Sequence, residues 1–208
     1  METADEGRSA RKHRAIMEAA TTLFLRGGYQ GTSMDEIAAL AAVSKQTVYK
    51  NFADKERLFT AIILGVTESS DKIISSMARI LPGTDDLDRA LTELARTYLT
   101  AVLQPHVLRL RRLVIAEADR FPDLARTYYQ RAPQRAVDML AAAFGDLAER
   151  GLLRIDDPGL AASHFAYLVL SIPQDKTMFC PDERFTAAEL EHIADAGVRV
   201  FLAAYRVK

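Results

Sequence analysis

The chain has 208 residues, a length that corresponds to one domain or two small ones. Its 27 basic and 28 acidic residues nearly cancel, so the formal net charge of −1 does not indicate a partner, and a single cysteine excludes an intramolecular disulfide framework. No apolar run approaches the roughly 18 residues of a membrane span. The polar N-terminus does not read as a signal peptide, so we expect a cytoplasmic protein with no membrane partner.

Apolar residues recur at spacings of three and four along the whole chain, and this period predicts an all-α fold. The first predicted helix covers about residues 8–26 and ends at a Gly-Gly pair. Ser33, followed three residues later by Glu36, is typical of a capping box that starts a short second helix. After three small residues, Ser44 is placed to cap a short third helix that runs to about Asn51.

A long amphipathic helix is predicted from Asp54 to Ile80, which at 1.5 Å per residue would span roughly 40 Å. The rest of the chain predicts a larger helical bundle joined to the first three helices by this long one. Its helices are expected over residues 86–103, 105–120, 122–150 with a break or kink at Pro133, 158–172 and 186–205, with a loop over residues 173–185.

The second and third helices, with their tight connection, fit a helix-turn-helix. Val48 would face inward, while Lys45, Gln46, Tyr49 and Lys50 project outward. Lysine can donate to guanine acceptors or phosphate, glutamine can pair with adenine, and tyrosine can donate to phosphate. The outer face therefore suits a major groove about 12 Å wide. A three-helix packing unit that is merely polar outside is the alternative.

Two further positions are candidates for phosphate contacts. Thr32 and Ser33 precede the second helix, whose free N–H groups favour an anion. Lys55 lies at the start of the long helix, where we expect it to act in the same way.

These residues carry a resemblance to a known family. The stretch Ala20-x-x-x-Phe24-x-x-x-Gly28-Tyr29-x-x-Thr32-Ser33-Met34-x-x-Ile37-Ala38 resembles the opening of the DNA-binding domain of the tetracycline-repressor (TetR) family. The stretch from Ala42 to Leu58 is similar to the recognition helix and the start of the fourth helix of that family. One departure is Ala42, because the family often has glycine there; we expect a right-handed or mildly strained backbone at this alanine.

The resemblance implies a role for each DNA-facing position. The implied groove-facing residues, with base readout from the first two, are Lys45, Gln46, Thr47 and Tyr49. The implied phosphate contacts are Thr32, Ser33, Lys50, Asn51 and Lys55. The implied domains are a helix-turn-helix DNA-binding domain over residues 8–54 and an effector-binding and dimerisation domain over residues 55–208.

The family is typically dimeric and regulated by a small molecule. The resemblance therefore implies a sequence-specific transcriptional regulator, a ligand-responsive repressor that binds a palindromic double-stranded DNA operator as a homodimer. The alternative is a helical-bundle enzyme or a ligand-binding protein without DNA recognition. The four histidines have no metal-like spacing, Cys180 carries no mark of an activated thiolate, and no glycine-rich phosphate loop occurs. We therefore expect no catalytic residue, no metal site and no cofactor.

The regulatory half predicts two further sites. Candidates for the dimer interface, which could instead close the subunit's own core, are Ala161, Phe165, Leu168, Leu190, Ile193, Gly197, Val200 and Phe201. Candidates for the effector pocket, each of which is more often plain core, are Tyr98, Leu113, Glu117, Tyr128 and Phe165. Effector binding would move the lower end of the long helix and change the spacing of two recognition helices.

Overall fold

The structure, a computed structural model, describes residues 2–207, and it describes side chains for residues 7–65 and 74–207. The described residues form ten α-helices and no strand, apart from an isolated antiparallel bridge between Leu153 and Arg206. The all-α prediction is confirmed. The helices are α1 Glu2–Gly27, α2 Met34–Leu40, α3 Lys45–Asn51, α4 Lys55–Met77, α5 Leu87–Val102, α6 Pro105–Ala116, α7 Pro122–Tyr129, α8 Arg135–Glu149, α9 Pro158–Phe179 and α10 Ala187–Tyr205, with a π-helical turn at Gln130–Gln134.

Hydrogen bonds from capping side chains start both short helices. The Ser33 hydroxyl accepts a bond from the Glu36 N–H, while the Glu36 carboxylate accepts from the Ser33 N–H, which completes the predicted capping box of α2. The Ser44 hydroxyl accepts from the Thr47 N–H and caps α3. The first four backbone N–H groups of any α-helix have no partner within the helix. In helices of only seven residues these groups are more than half of the donors, so capping matters.

The chain divides into two compact units. The first unit contains residues up to Thr67 together with Arg109–Tyr128, and the second contains Glu68–Leu108 and the chain from Tyr129 onward. The predicted boundary between residues 54 and 55 differs from this division. The first part of α4 packs with α1, α2 and α3, and so do most of α6 and α7.

The first unit has its own apolar core. Phe24, Ile37 and Val48 from the first three helices are buried together with Leu58 and Ile62 of α4. A second set of buried residues joins this core from α6 and α7: Leu110, Leu113, Val114 and Tyr128. Burial of Val48 fixes which face of α3 points outward.

The second unit is a bundle of the later helices. Phe144, Phe165 and Phe201 are fully buried, and their rings contact one another with centroids 5.0 to 5.4 Å apart. Edge-to-face and tilted contacts of this kind connect α8, α9 and α10 at the centre of the bundle.

The loop predicted over residues 173–185 is wrong in its first half, because α9 continues through Pro173 to Phe179. A proline inside a helix removes one backbone donor. The Thr177 hydroxyl donates to the Pro173 carbonyl at 2.7 Å, within a helix whose proline ring is buried. At Pro133 the predicted irregularity takes the form of the π-helical turn.

The structure corrects half of the predicted dimer interface. Ala161, Phe165 and Phe201 have no exposed surface and form the core of their own subunit. Gly197 is also buried, because the carbonyl of Leu168 lies only 3.0 Å from the place that a Cβ atom would take. The small residue allows α9 and α10 to approach each other within one chain. Leu168, Leu190 and Ile193 are half-buried against the bundle or its edge, and Val200 is exposed.

None of the helices that the structure describes is long and apolar enough to cross a membrane.

Candidate nucleic-acid interface

The outward face of α3 carries the side chains that the sequence singles out for base contacts. Gln46 and Lys50 are exposed, and 44% of the Tyr49 surface is accessible to solvent. Val48 on the opposite face has no accessible surface. A helix anchored by one buried apolar side chain and polar on its other side can enter a groove without losing its packing.

Thr47 and Asn51 are engaged within α3 itself. The Thr47 hydroxyl lies 2.8 Å from the Ser44 hydroxyl at the helix start. The Asn51 side-chain amide donates to the Thr47 carbonyl at 2.8 Å, and its oxygen lies 3.4 Å from Nδ1 of His13 on α1. These two side chains hold the ends of α3 in the unbound protein.

Lys45 forms an ion pair with a residue of the preceding helix. Its Nζ lies 2.7 Å from one carboxylate oxygen of Asp35 and donates to the other at 3.0 Å. Both side chains are well exposed to solvent, and the hydrogen bond and charge of Asp35 raise the pKa of Lys45 above its usual value. Sequence analysis gave Asp35 no role of its own.

The start of α2 is closed by its own side chains. Ser33 also donates its hydroxyl proton to the Glu36 carboxylate at 2.8 Å. The bonds from the Ser33 backbone and side chain lower the pKa of Glu36 below its usual value. Thr32 is buried, and its hydroxyl donates to the Gly28 carbonyl at 2.9 Å. The Thr32 hydroxyl therefore faces the loop rather than solvent.

Lys55 likewise points into the first unit. Its Nζ donates to the carbonyls of Tyr29 and Thr32, at 3.0 and 2.9 Å, and lies 4.4 Å from the centroid of the Tyr29 ring. The guanidinium of Arg120 also stacks on this ring, 4.8 Å from its centroid, and the Phe121 ring meets it edge-on. Burial raises the pKa of Tyr29, and the charge of Arg120 opposes this shift. The cluster fixes the loop that leads into α2.

An open hollow of about 530 Å³ separates the start of α2 from α3 and the start of α4. The structure brings five of the nine predicted DNA-contact residues to this hollow, and its lining is Gln30, Gly31, Thr32, Ser33, Met34, Asp35, Glu36, Lys45, Tyr49, Asp54 and Lys55. Gly31 was not anticipated: a Cβ atom there would lie 2.4 Å from the Gly27 carbonyl oxygen, so the loop requires glycine. In the sequence, only its position in the short stretch between Gly28 and Thr32 could have indicated this requirement.

The five predicted effector-pocket residues are divided between the two units. Leu113 and Tyr128 are buried in the core of the first unit, and Tyr98 and Phe165 are buried in the core of the second. Glu117 is half-buried on the first unit. Within the second unit a cavity of about 200 Å³, between the chain after α4 and α8, contains none of the five in its lining. Its volume is below the roughly 300 Å³ at which small-molecule sites begin.

Comparison with known families agrees with this geometry. The family described as "Bacterial regulatory proteins, tetR family" matches residues 16–62, and "AefR-like transcriptional repressor, C-terminal domain" matches residues 89–207. The second match alone covers more than half of the chain. The chain therefore belongs to the TetR family of DNA-binding transcriptional regulators, and the resemblance seen in the sequence is confirmed.

Individual relatives extend over the whole fold. A solved structure from Mesorhizobium loti MAFF303099, assigned to the TetR family, is 45% identical, covers 96% of this chain and 99% of that one, and has a TM-score of 0.88. The structure of the flavonoid-responsive regulator FrrA is 32% identical, with coverages of 96% and 99% and a TM-score of 0.73. The uncharacterised regulator YhgD of Bacillus subtilis is 40% identical over 81 residues, so this chain spans only 42% of that curated relative.

Proposed function

We propose that this regulator is a ligand-responsive repressor that binds a palindromic operator as a homodimer, with α3 of each subunit in the major groove. The observation that carries the proposal is the two-sided character of α3: Val48 is fully buried, whereas Gln46, Tyr49 and Lys50 are exposed. Each α3 has only seven residues and can read a few base pairs, so a pair of subunits is needed for a specific site.

Within this proposal the side chains of α3 divide their tasks. Gln46 reads adenine through its amide, and Lys45 donates to guanine acceptors. Lys50 and Tyr49 bind phosphates and set the register, with Ser33 at the start of α2. Thr47 and Asn51 stabilise α3 through the hydrogen bonds described above. Thr32 and Lys55 bond to the loop before α2, and these bonds favour a role in positioning that loop beside the predicted phosphate contacts.

The ligand-responsive part rests on relatives and on chain connectivity. FrrA is described as flavonoid-responsive, which supports a small-molecule effector for this chain without identifying it. The chain passes from one unit to the other within α4, within α6 and at the end of α7, so a change in the second unit can reach the first along continuous helices. A coupling of about 1–3 kcal/mol would weaken operator binding roughly 5- to 150-fold. Because the proposed partner is operator DNA, we propose a cytoplasmic location, and we propose no catalytic role for the chain.

Selection of bound sequences from a random duplex pool tests the proposal. We expect a palindromic consensus, and Gln46→Ala should relax the preference at one base pair per half-site at a cost of about 1–3 kcal/mol. Gln130→Ala, an exposed glutamine in the π-helical turn, is the matched control and should leave the consensus unchanged. Metabolites that shift the melting temperature would then be added to the selected duplex complex to measure release.

Failure to enrich any sequence would contradict the proposal. Equal loss of binding in both glutamine variants would remove Gln46 from base readout.

A further inference from the structure

Asp35 is an acid in a place where a DNA-binding surface is expected to be basic. It lies in the first turn of α2, two residues after Ser33, and lines the same hollow as Lys45, Tyr49 and Lys55. Phosphates that approach Ser33 would therefore meet a carboxylate. An uncompensated acid at such a surface weakens binding to every duplex, whatever its sequence.

The cation that compensates the Asp35 carboxylate is the ammonium of Lys45. Both carboxylate oxygens lie within 3.0 Å of Lys45 Nζ, and the two side chains remain 65% and 59% exposed. The lysine is the first residue of α3 and one of the two predicted base-reading positions. In the unbound protein the end of Lys45 therefore lies toward α2, with the opposite charge of Asp35 beside it.

This pairing separates two kinds of DNA contact. A lone phosphate offers Lys45 one anionic partner in exchange for another, so nothing is gained by leaving Asp35. A guanine presents the neutral acceptors O6 and N7, to which the ammonium can donate one of its three N–H bonds while it stays paired with Asp35. Lys45 therefore adds little to binding on random DNA, where it stays paired.

We propose that Asp35 is a specificity-determining residue of the DNA interface, which holds Lys45 away from phosphates and so suppresses binding to non-operator DNA. The inference rests on the proposed function, because it assumes that α3 enters a groove. It assigns the α2 acid a task that folding does not require, since exposed ion pairs contribute little to stability.

The test uses Asp35→Asn, which keeps the shape of the side chain and removes its charge. Binding to a labelled random-sequence duplex pool is measured between 50 and 200 mM salt. We expect the slope of log affinity against log salt to steepen by about 0.9 for each subunit bound, because Lys45 gains a phosphate contact. Across that salt range this corresponds to roughly a threefold to fourfold larger loss of affinity per subunit.

Two controls isolate the effect from net charge. Glu18→Gln changes the charge equally at an exposed acid of α1 outside the hollow, and it should leave the slope near that of the wild type. Asp35→Asn in a Lys45→Ala background should likewise leave the slope unchanged, because the cation that would be released is absent. Urea unfolding of each variant shows whether the fold is retained.

The outcomes are distinct. A steeper slope in Asp35→Asn alone, with a reduced ratio of affinity for the selected duplex over the pool, supports the inference. Equal slopes in Asp35→Asn and Glu18→Gln would overturn it, and so would persistence of the effect without Lys45. If the wild type enriches no duplex at all, it is the proposed function that fails.

Discussion

Ala42 shows how a single residue sets the angle of the turn between α2 and α3. Its φ of +53° is left-handed, so the right-handed alternative is wrong and the alanine has a strained backbone. The N–H of Val43 donates to the Ala38 carbonyl at 3.0 Å, and that of Ala42 donates to the Ala39 carbonyl at 3.2 Å. These two bonds form the Schellman end of α2, which normally has glycine at this position. The backbone geometry is kept and the alanine carries its strain.

Ala42→Gly should therefore stabilise the protein. Relief of the left-handed strain is worth about 1–2 kcal/mol, and the greater freedom of glycine in the unfolded chain returns about 0.4–1 kcal/mol. We expect a net gain of between zero and about 1.6 kcal/mol in the free energy of unfolding, measured in urea, with operator affinity unchanged. A less stable variant would show that the alanine methyl group makes packing contacts that outweigh the strain.

The periodicity of apolar residues predicts which side chains are exposed, but it does not predict which groups they bond to. The outward positions of Gln46 and Lys50 and the burial of Val48 follow from the spacing of apolar residues along α3. The partners of Lys55 could not be found in this way, because they are backbone carbonyls of a loop more than twenty residues earlier in the chain. Ring stacking by Arg120 depends on a still more distant segment.

Among the helices, the contact of α9 with α10 is governed by Gly197. A Cβ atom there would lie 3.0 Å from the Leu168 carbonyl oxygen, 3.2 Å from its carbonyl carbon and 3.3 Å from Val169 Cγ2. Two of these three atoms belong to the backbone and cannot rotate away. The sequence favoured a close approach at this glycine, but periodicity alone does not distinguish contact within a subunit from contact between subunits.

Gly197→Ala should destabilise the second unit by about 1–3 kcal/mol, the usual cost of overpacking. Gly145→Ala in α8 is the matched control, because nothing lies within 4 Å of its added Cβ. The control should gain about 0.5–1 kcal/mol from replacing a helical glycine. Thermal unfolding of the two variants would separate them, and a stable Gly197→Ala protein would contradict the packing described here.

At the scale of the whole molecule, the homodimer proposed above requires a surface on each subunit that a second copy can cover. Large apolar side chains stay exposed along α9 and on α10: Leu160, Tyr167, Ile172 and Val200 are 52%, 70%, 64% and 54% accessible. Leu160 and Tyr167 are seven residues apart and therefore share one side of α9, and contiguous exposed apolar surface is a feature of protein interfaces. We propose this face, rather than the buried residues chosen from the sequence, as the surface that a second copy covers.

Tyr167→Glu should shift the protein from dimer to monomer in sedimentation experiments, because pairing would bury its charge without a partner. Ile115→Glu, at an exposed isoleucine of α6, should leave the oligomeric state unchanged. A variant at Tyr167 that remains dimeric would exclude this face. The monomer should retain its helical content while losing affinity for a palindromic duplex.

The number and order of helices could be predicted from sequence, whereas the grouping of helices into units could not. Capping residues and glycines mark helix ends locally, as Ser33 and Gly151 do. Assignment of Leu110 and Tyr128 to the first core instead depends on which of two apolar surfaces they meet. Tertiary packing decides this assignment, and tertiary packing produces no periodic pattern in the sequence.

The participation of residues 109–128 in the first unit has a practical consequence for exchanging sensors between relatives. A chimera that takes only residues 1–54, or only residues 1–67, from this protein would lack Leu110, Leu113 and Tyr128. The apolar side chains of the first unit that pack against them would then be exposed. A chimera that includes residues 109–128 together with the N-terminal segment keeps the apolar core of the first unit complete. Engineered biosensors built on this scaffold should thus be spliced at three junctions rather than one.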